Sequence, residues 1–270
     1  MTALTNTAFA VIISPKELII LATIKQIEEF LDARIPRSLS VPSDPDGTAL
    51  CMGYDVEVTK VVTALDVTVD AIEFAKEKGA QLIISHHPSI YAPLTSITEK
   101  DAVGKRILAA VKAGVSLMSY HTRLDAVEGG VNDRLCELLG IKDTEAFDIG
   151  LGRVGVLEKD YGFEEFCAKV KEALGTEKVT GISCGKSVRR VAVLGGSGKG
   201  SFNDAVATGA DTYLTGEVIH STLLDAREQG INLICATHYR TESPVISVIG
   251  KFLKEAFADI EIFEYYDNQL

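Results

Sequence analysis

The strongest constraint on the fold is a run of strand- and helix-forming segments that occurs twice. Lys60-Val61-Val62-Thr63-Ala64-Leu65-Asp66 reads as a strand, Val69 to Lys78 as a helix closed by Gly79, and Gln81 to Ser85 as a second strand running into His86-His87-Pro88. A helix from Asp101 to Ala113 stops at Gly114, and Val115 to Tyr120 is a third strand that delivers His121-Thr122-Arg123-Leu124-Asp125. The order returns 130 positions later (190 − 60), with Arg190 to Gly196 for Lys60 to Asp66, Gly209-Ala210 for Gly79-Ala80, and Thr215-Gly216-Glu217 for Ser85-His86-His87. One residue of slippage later, Ile231 to Cys235 repeats Val115 to Ser119 and delivers His238-Tyr239-Arg240-Thr241-Glu242. Strands alternating with helices of this length imply βαβ units. The duplication therefore predicts an α/β protein of two similar lobes, with mostly parallel or mixed sheets flanked by helices, over residues 1–147 and 148–270. Between the copies, a strand at Arg153 to Glu158, an amphipathic helix at Glu164 to Leu174 and a strand near Val179 to Ser183 read as part of the second lobe.

Two apolar pieces, Ala8 to Ile13 and Leu18 to Ile24, are interrupted by Ser14-Pro15-Lys16-Glu17, and neither reaches the roughly 20 apolar residues that span a bilayer. We read an extended arm, then a helix from Pro15 through Ile27, Phe30 and Leu31 to the break at Ile35-Pro36. Ser38 to Gly53, with Pro42 and Asp44-Pro45-Asp46-Gly47, reads as a loop. A net charge of −11 speaks against non-specific binding to nucleic acid or an anionic membrane, both of which need Lys/Arg-rich surfaces. Five scattered cysteines without a CxxC spacing fit a reducing cytoplasm, each as a small buried hydrophobe.

The chemistry gathers at the ends of the strands, where open α/β sheets place their sites. Neighbouring strand residues point to opposite faces, so His86 and His87 can meet one small ligand only where the strand has stopped, or else serve two ions. Pro88 favours the stop. Alone, an HxRx[DE] segment reads as a cap or an ion pair with its own arginine. Two copies beside a His-His pair point instead to metal. With the lobes facing each other, His86, His87 and Asp125 come from the first copy and His238 and Glu242 from the second, a set suited to two divalent ions such as Zn, Fe, Ni, Co or Mn. Gly195-Gly196-Ser197-Gly198-Lys199-Gly200 lacks the Walker spacing and reads as a tight turn. Glu217 and His220 follow the strand equivalent to that of the His pair; Glu217 is a candidate for orienting a ligand or substrate, against the plainer reading of both as exposed helix N-terminal residues.

Three segments resemble the dinuclear-metal-centre proteins labelled GTP cyclohydrolase 1 type 2, relatives of the NGG-interacting factors: Leu82 to Pro88, His121 to Ala126 with Gly129-Gly130-Val131-Asn132, and Tyr213 to Glu217 followed by His238 to Glu242. The resemblance implies His86, His87, Asp125, His238 and Glu242 as ligands of two divalent ions, Glu242 as the bridging carboxylate, and a toroidal homohexamer. It also suggests a nucleotide such as GTP as substrate of a metal-dependent hydrolase, for which we read a metal-bridging water as nucleophile and Glu217 near the substrate; His121, not a usual ligand of the family but one turn from Asp125, reads as an outer-shell or acid/base group, against a purely structural hydrogen bond. The interacting-factor relatives suggest another reading, a non-catalytic metal-stabilised hexameric scaffold that binds a protein partner. The chain departs from the family in having no tryptophan in the early loop, where it reads Pro45-Asp46-Gly47-Thr48-Ala49-Leu50, and in carrying Thr237 where a glycine is usual before the late histidine.

Overall fold

The computed structural model describes residues 22–268, so the apolar pieces before Ala22 and the expected helix start at Pro15 lie outside the described residues. The chain runs β1 (Ala22–Thr23), α1 (Ile24–Arg34), β2 (Gly47–Leu50), β3 (Glu57–Val58), β4 (Lys60–Ala64), α2 (Val69–Lys78), β5 (Leu82–Ser85), α3 (Ala102–Ala113), β6 (Ser116–Ser119), α4 (Thr122–Ala126), α5 (Val131–Leu139) and β7 (Lys142–Phe147). It continues through β8 (Gly152–Tyr161), α6 (Phe163–Leu174), β9 (Thr180–Ile182), β10 (Val188–Ser197), α7 (Phe202–Ala207), β11 (Thr212–Glu217), α8 (His220–Gln229), β12 (Asn232–Cys235), α9 (His238–Glu242), α10 (Val245–Ala256) and β13 (Glu261–Tyr265).

The local signals explain most of these elements. Thr68 accepts a hydrogen bond from the Ala71 amide and opens α2, and Gly79, at φ +67°, closes it. Asp101 and Gly114 bracket α3 in the same way. The first helix starts at Ile24, later than expected, because Thr23 and Gln26 form a capping box and Ala22–Thr23 pairs with Glu57–Val58. The segment expected to be a loop contains β2, an antiparallel edge strand on β6.

Two sheets carry the duplication. One has the order β13-β4-β5-β6-β2, the other β7-β8-β10-β11-β12-β9. In each, three parallel strands (β4, β5, β6 and β10, β11, β12) end against an antiparallel edge strand, β2 or β9. The central strand β5 is buried throughout, as expected when helices cover both faces.

Sheet membership does not follow the 147/148 division. After its HxRx[DE] segment, each copy sends its next helix and strand to the opposite sheet. Leu135, Cys136 and Leu139 of α5 pack with Val191, Val193 and Leu214, and β7 pairs with β8. In return, Val245, Ile249 and Leu253 of α10 pack with Val61, Leu82 and Ile84, and β13 pairs with β4. The physical reason is burial, because the apolar stripe of α10 covers a face of the first sheet that α2 and α3 leave open. This exchange brings the two strand-end clusters together. No described helix is long and apolar enough to cross a membrane.

Candidate metal centre

β5 ends at Ser85, but its parallel ladder reaches past the strand: the His86 amide donates to Ala64 O and the His87 amide to Leu65 O. Ser85 Oγ donates to His87 O and tightens the turn. The two rings end with centroids 5.0 Å apart, aimed into the gap between the sheets. From the second copy, Thr237 caps the short helix α9, whose one turn places His238 and Glu242 on a common face. Asp125 reaches the gap from α4.

Glu242 stands in the middle. Its Oε1 is 3.9 Å from His86 Nε2, which is itself 3.8 Å from Asp125 Oδ1. Its Oε2 is 3.1 Å from His87 Nε2 and 3.0 Å from His238 Nε2. The five residues expected as ligands thus form two groups that share one carboxylate, His86/Asp125/Glu242 and His87/His238/Glu242, each with donor atoms within 4.8 Å and each able to hold a metal ion. A third group joins His86 and His87 to His121.

Each of the four imidazoles at the centre is oriented from behind. Nδ1 of His86 lies 3.0 Å from Tyr120 O, Nδ1 of His87 2.8 Å from Asp66 Oδ1, Nδ1 of His238 3.1 Å from Glu217 Oε1, and Nδ1 of His121 2.7 Å from Asp44 Oδ1. Each partner is an acceptor, so each Nδ1 carries the proton and donates it. That leaves the Nε2 lone pairs of these rings free for a cation, with outer hydrogen bonds of the kind that metal-bound histidines usually make. His86 Nε2 and Asp125 Oδ1 are buried without a hydrogen-bond partner. A buried orphan acceptor is costly unless something electropositive reaches it, so these atoms fit a metal.

The electrostatics agree. Burial keeps His86 neutral, pulling its pKa down to about 3 despite the charge of Glu242. Burial would also lower His87, but its hydrogen bonds to Asp66 and Glu242 outweigh that and raise it to about 10. The hydrogen bond to Glu242 raises His238 to about 9 against its own burial. Burial and the charge of Glu242 push Asp125 well above the ordinary carboxyl range. Burial acts the same way on Glu242, yet His238 and His87 hold it below its usual value. Without metal, protons on His87 and His238 supply the positive charge the carboxylate requires.

Glu217 touches the site through His238 from outside; His220 is exposed at the start of α8. The glycine-rich turn has a role that its spacing did not reveal. A Cβ on Gly196, at φ +66°, would collide with Glu242 Oε1, and one on Gly216 would meet Gly196 O and His238 Cα. These glycines make room for the central carboxylate. Asp44 and Asp66 were also missed, although both bore a signal, an acid in a tight-turn segment and an acid at the end of the strand beside the histidines. Arg123 does not pair with Asp125. It is fully buried and binds Asp46 and Asp32, each at 2.7 Å, and Ile35 O at 2.8 Å, pinning the early loop under α4.

Two clefts flank the centre. One, of about 450 Å³, exposes the metal-facing side, with His87, His121, Asp125, His238 and Glu242 in its lining. The other, of about 410 Å³, lies behind His87 and His238 and is lined by Asp66, Glu217, Thr237 and Lys178.

The chain is similar to known proteins over most of its length. A GTP cyclohydrolase 1 type 2 homolog of Clostridium perfringens is 34% identical over 226 residues, covering 80% of this chain and 86% of that one. Another, from Methanocaldococcus jannaschii, is 32% identical, covering 88% and 97%. Among solved structures, a Staphylococcus aureus hypothetical protein superposes with a TM-score of 0.84 at 27% identity over 91% of this chain and 97% of its own. Reduced HcgD of Methanocaldococcus jannaschii gives 0.78 at 31%, over 90% and 97%. The Duf34/NIF3 (NGG1p interacting factor 3) family matches residues 22–269, and the chain belongs to it.

Proposed function

We propose that the protein is a metal-dependent hydrolase with two divalent ions in its centre, one at His86, Asp125 and Glu242, the other at His87, His238 and Glu242. The observation that carries this reading is the division of Glu242, whose two oxygens face two separate donor sets. Bound ions of this kind act as Lewis acids and lower the pKa of a water toward neutrality. The chain's own residues do the rest. Asp66 and Glu217 hold His87 and His238 in the ligating tautomer, and the glycine turn shapes the pocket around Glu242. Asp44 holds His121 by Nδ1, which frees its other nitrogen to take or give a proton at the edge of the metal-facing cleft. The relatives' printed name supports a nucleotide as substrate class.

A second reading is supported by the origin of the ligands. Because they come from both sheets, bound metal would fasten the lobes, as a non-catalytic scaffold in a homohexamer with a protein partner requires. The deciding experiment is elemental analysis and a nucleotide-hydrolysis screen on untagged protein and its Glu242→Ala variant. About two ions per chain, falling below one in the variant together with turnover, is the expected result. Full metal and full activity in Glu242→Ala would sink the hydrolase mechanism. Metal-dependent oligomer size without turnover would favour the scaffold.

A further inference from the structure

The glycine turn at the end of β10 carries one residue that neither the fold nor the metal centre uses. Gly195, Ser197 and Ser201 of this turn line the metal-facing cleft, and Gly196 packs against Glu242 Oε1. Gly198 is tied down, its amide donating to Glu217 O and its carbonyl accepting from the Tyr213 hydroxyl and the Ser201 amide. Lys199 follows it, exposed, and among the described residues no carboxylate pairs with it. It comes three residues after Gly196, so its Cα lies within about 11 Å of the glycine that touches Glu242. A fixed backbone thus holds a free cation at the rim of the cleft, between two residues that line it.

The charge around the centre gives that cation a use. Asp125 and Glu242 face the gap, Asp44, Asp66 and Glu217 stand behind His121, His87 and His238, and Asp148 accepts from the Ser201 hydroxyl. Together these carboxylates outnumber the roughly four positive charges of two divalent ions, so the loaded centre keeps no surplus for a polyanion. One phosphate can still be held by direct coordination to the ions. Each further phosphate brings negative charge beside those carboxylates, and it is retained only where a cation meets it. Lys199 stands at this cleft, whereas Lys178 is on the other one, behind His238. Ser197, exposed on the same wall, adds a hydroxyl that can donate.

Resting on the hydrolase reading with a nucleotide as substrate, we infer that Lys199 is a specificity-determining residue, which pairs the phosphate next to the one held by the ions. The substrate class is then a nucleoside polyphosphate, and Lys199 separates it from nucleosides and monophosphates, which place no charge at the rim. The turn lacks the Walker spacing, so its lysine acts as a point charge at the edge of the cleft and not from within a backbone cradle.

The test is calorimetric titration of GTP, GMP and guanosine into the zinc-loaded protein, with bound zinc and intact nucleotide quantified afterwards. GTP binds most tightly. Lys199→Ala weakens GTP binding about tenfold, GMP binding under about threefold and guanosine binding under about twofold, and the GTP loss shrinks as salt rises, as a paired charge requires. Lys199→Arg retains GTP binding, Lys178→Ala leaves it unchanged, and zinc content is the same in every variant. Unchanged GTP binding in Lys199→Ala, an equal loss for GMP or guanosine, an equal loss in Lys199→Arg, a larger loss from Lys178→Ala, or no GTP binding at millimolar concentration would each overturn the inference. Its failure is separable from that of the hydrolase reading. Lys199-dependent GTP binding without hydrolysis removes only the latter, and metal-dependent GTP hydrolysis that ignores Lys199 removes only the former.

Discussion

The two HxRx[DE] segments began as the same motif and now do different work. In the second copy, His238 and Glu242 both face the gap, and the arginine between them lies half-exposed beside the Tyr239 ring. In the first, Asp125 faces the gap while His121 is held at its edge by Asp44, and Arg123 is sealed in the core against two aspartates and the ring of Tyr120. The backbone entries differ as well, since α9 follows Thr237 at φ +62°, ψ +148°, whereas His121 enters α4 at φ −93°. One copy has put its polar residues into the centre, and the other has spent its arginine on scaffolding. Duplication supplies polar residues in matched places, and divergence decides which face the gap and which become a support.

Removing the two arginines breaks this comparison most severely. Arg123→Ala takes from buried Asp46 its 2.7 Å partner, leaves it Arg37 alone at 3.4 Å, and should cost about 3 kcal/mol of stability, whereas Arg240→Ala should cost under about 1 kcal/mol; denaturant titration measures both. Equal losses would mean that the copies are not specialised as described.

Next in size come the outer carboxylates. Asp66→Asn should weaken metal binding by about 10–100-fold, because Asp66 is part-buried and fixes His87. Glu217→Gln should weaken it less, since Glu217 is more exposed. In the wild type, His87 and His238 are raised to about 10 and about 9 in the metal-free protein, so an ion must displace their protons near neutrality. Metal affinity should therefore rise from pH 6 to pH 9, with about two protons released per loaded centre at pH 7 in buffers of different ionisation heat. The metal-free protein runs oppositely. Raised histidine pKa values contribute stability that is complete below the ordinary value of 6.5 and lost as pH climbs through about 9 to 10. A flat metal affinity over this range would contradict the proton assignment.

The smallest effect sharpens the contrast in backbone. Thr237 occupies a region that β-branched residues enter only under strain, worth about 1–3 kcal/mol. Thr237→Gly should raise stability by about 1 kcal/mol after the loss of the cap and the entropy of glycine, read from a shift in the unfolding midpoint. No gain would show that the hydroxyl, which accepts from the Arg240 amide, matters more than the torsion.

The repeated strands and helices were legible because their signals are local: apolar runs, an N-capping Thr68 or Asp101, a terminating Gly79 or Gly114. The convergence of His86, His87, Asp125, His238 and Glu242 was legible because strand ends meet wherever two sheets face. What could not be read is longer in range. The stripe of α10 shows that the helix is half-buried and not which sheet it covers, so the boundary at 147/148 missed the exchange. Asp44 and Asp66 find their histidines 77 and 21 residues away, pairings no local pattern encodes. A loop rich in Pro and Gly hid β2, whose strand character comes from its partner β6.

The exchange of helix and strand between the sheets also sets an order of events. Lys60 pairs with Glu261, so the first sheet waits on residues made about 200 positions later before its outer strand can form. A ribosome-bound chain that has released only its first copy holds His86, His87 and Asp125 without the glutamate that would join them. The donor set that Glu242 joins is thus complete only when synthesis is nearly finished, and a truncated product keeps just the histidines and Asp125 of the first copy.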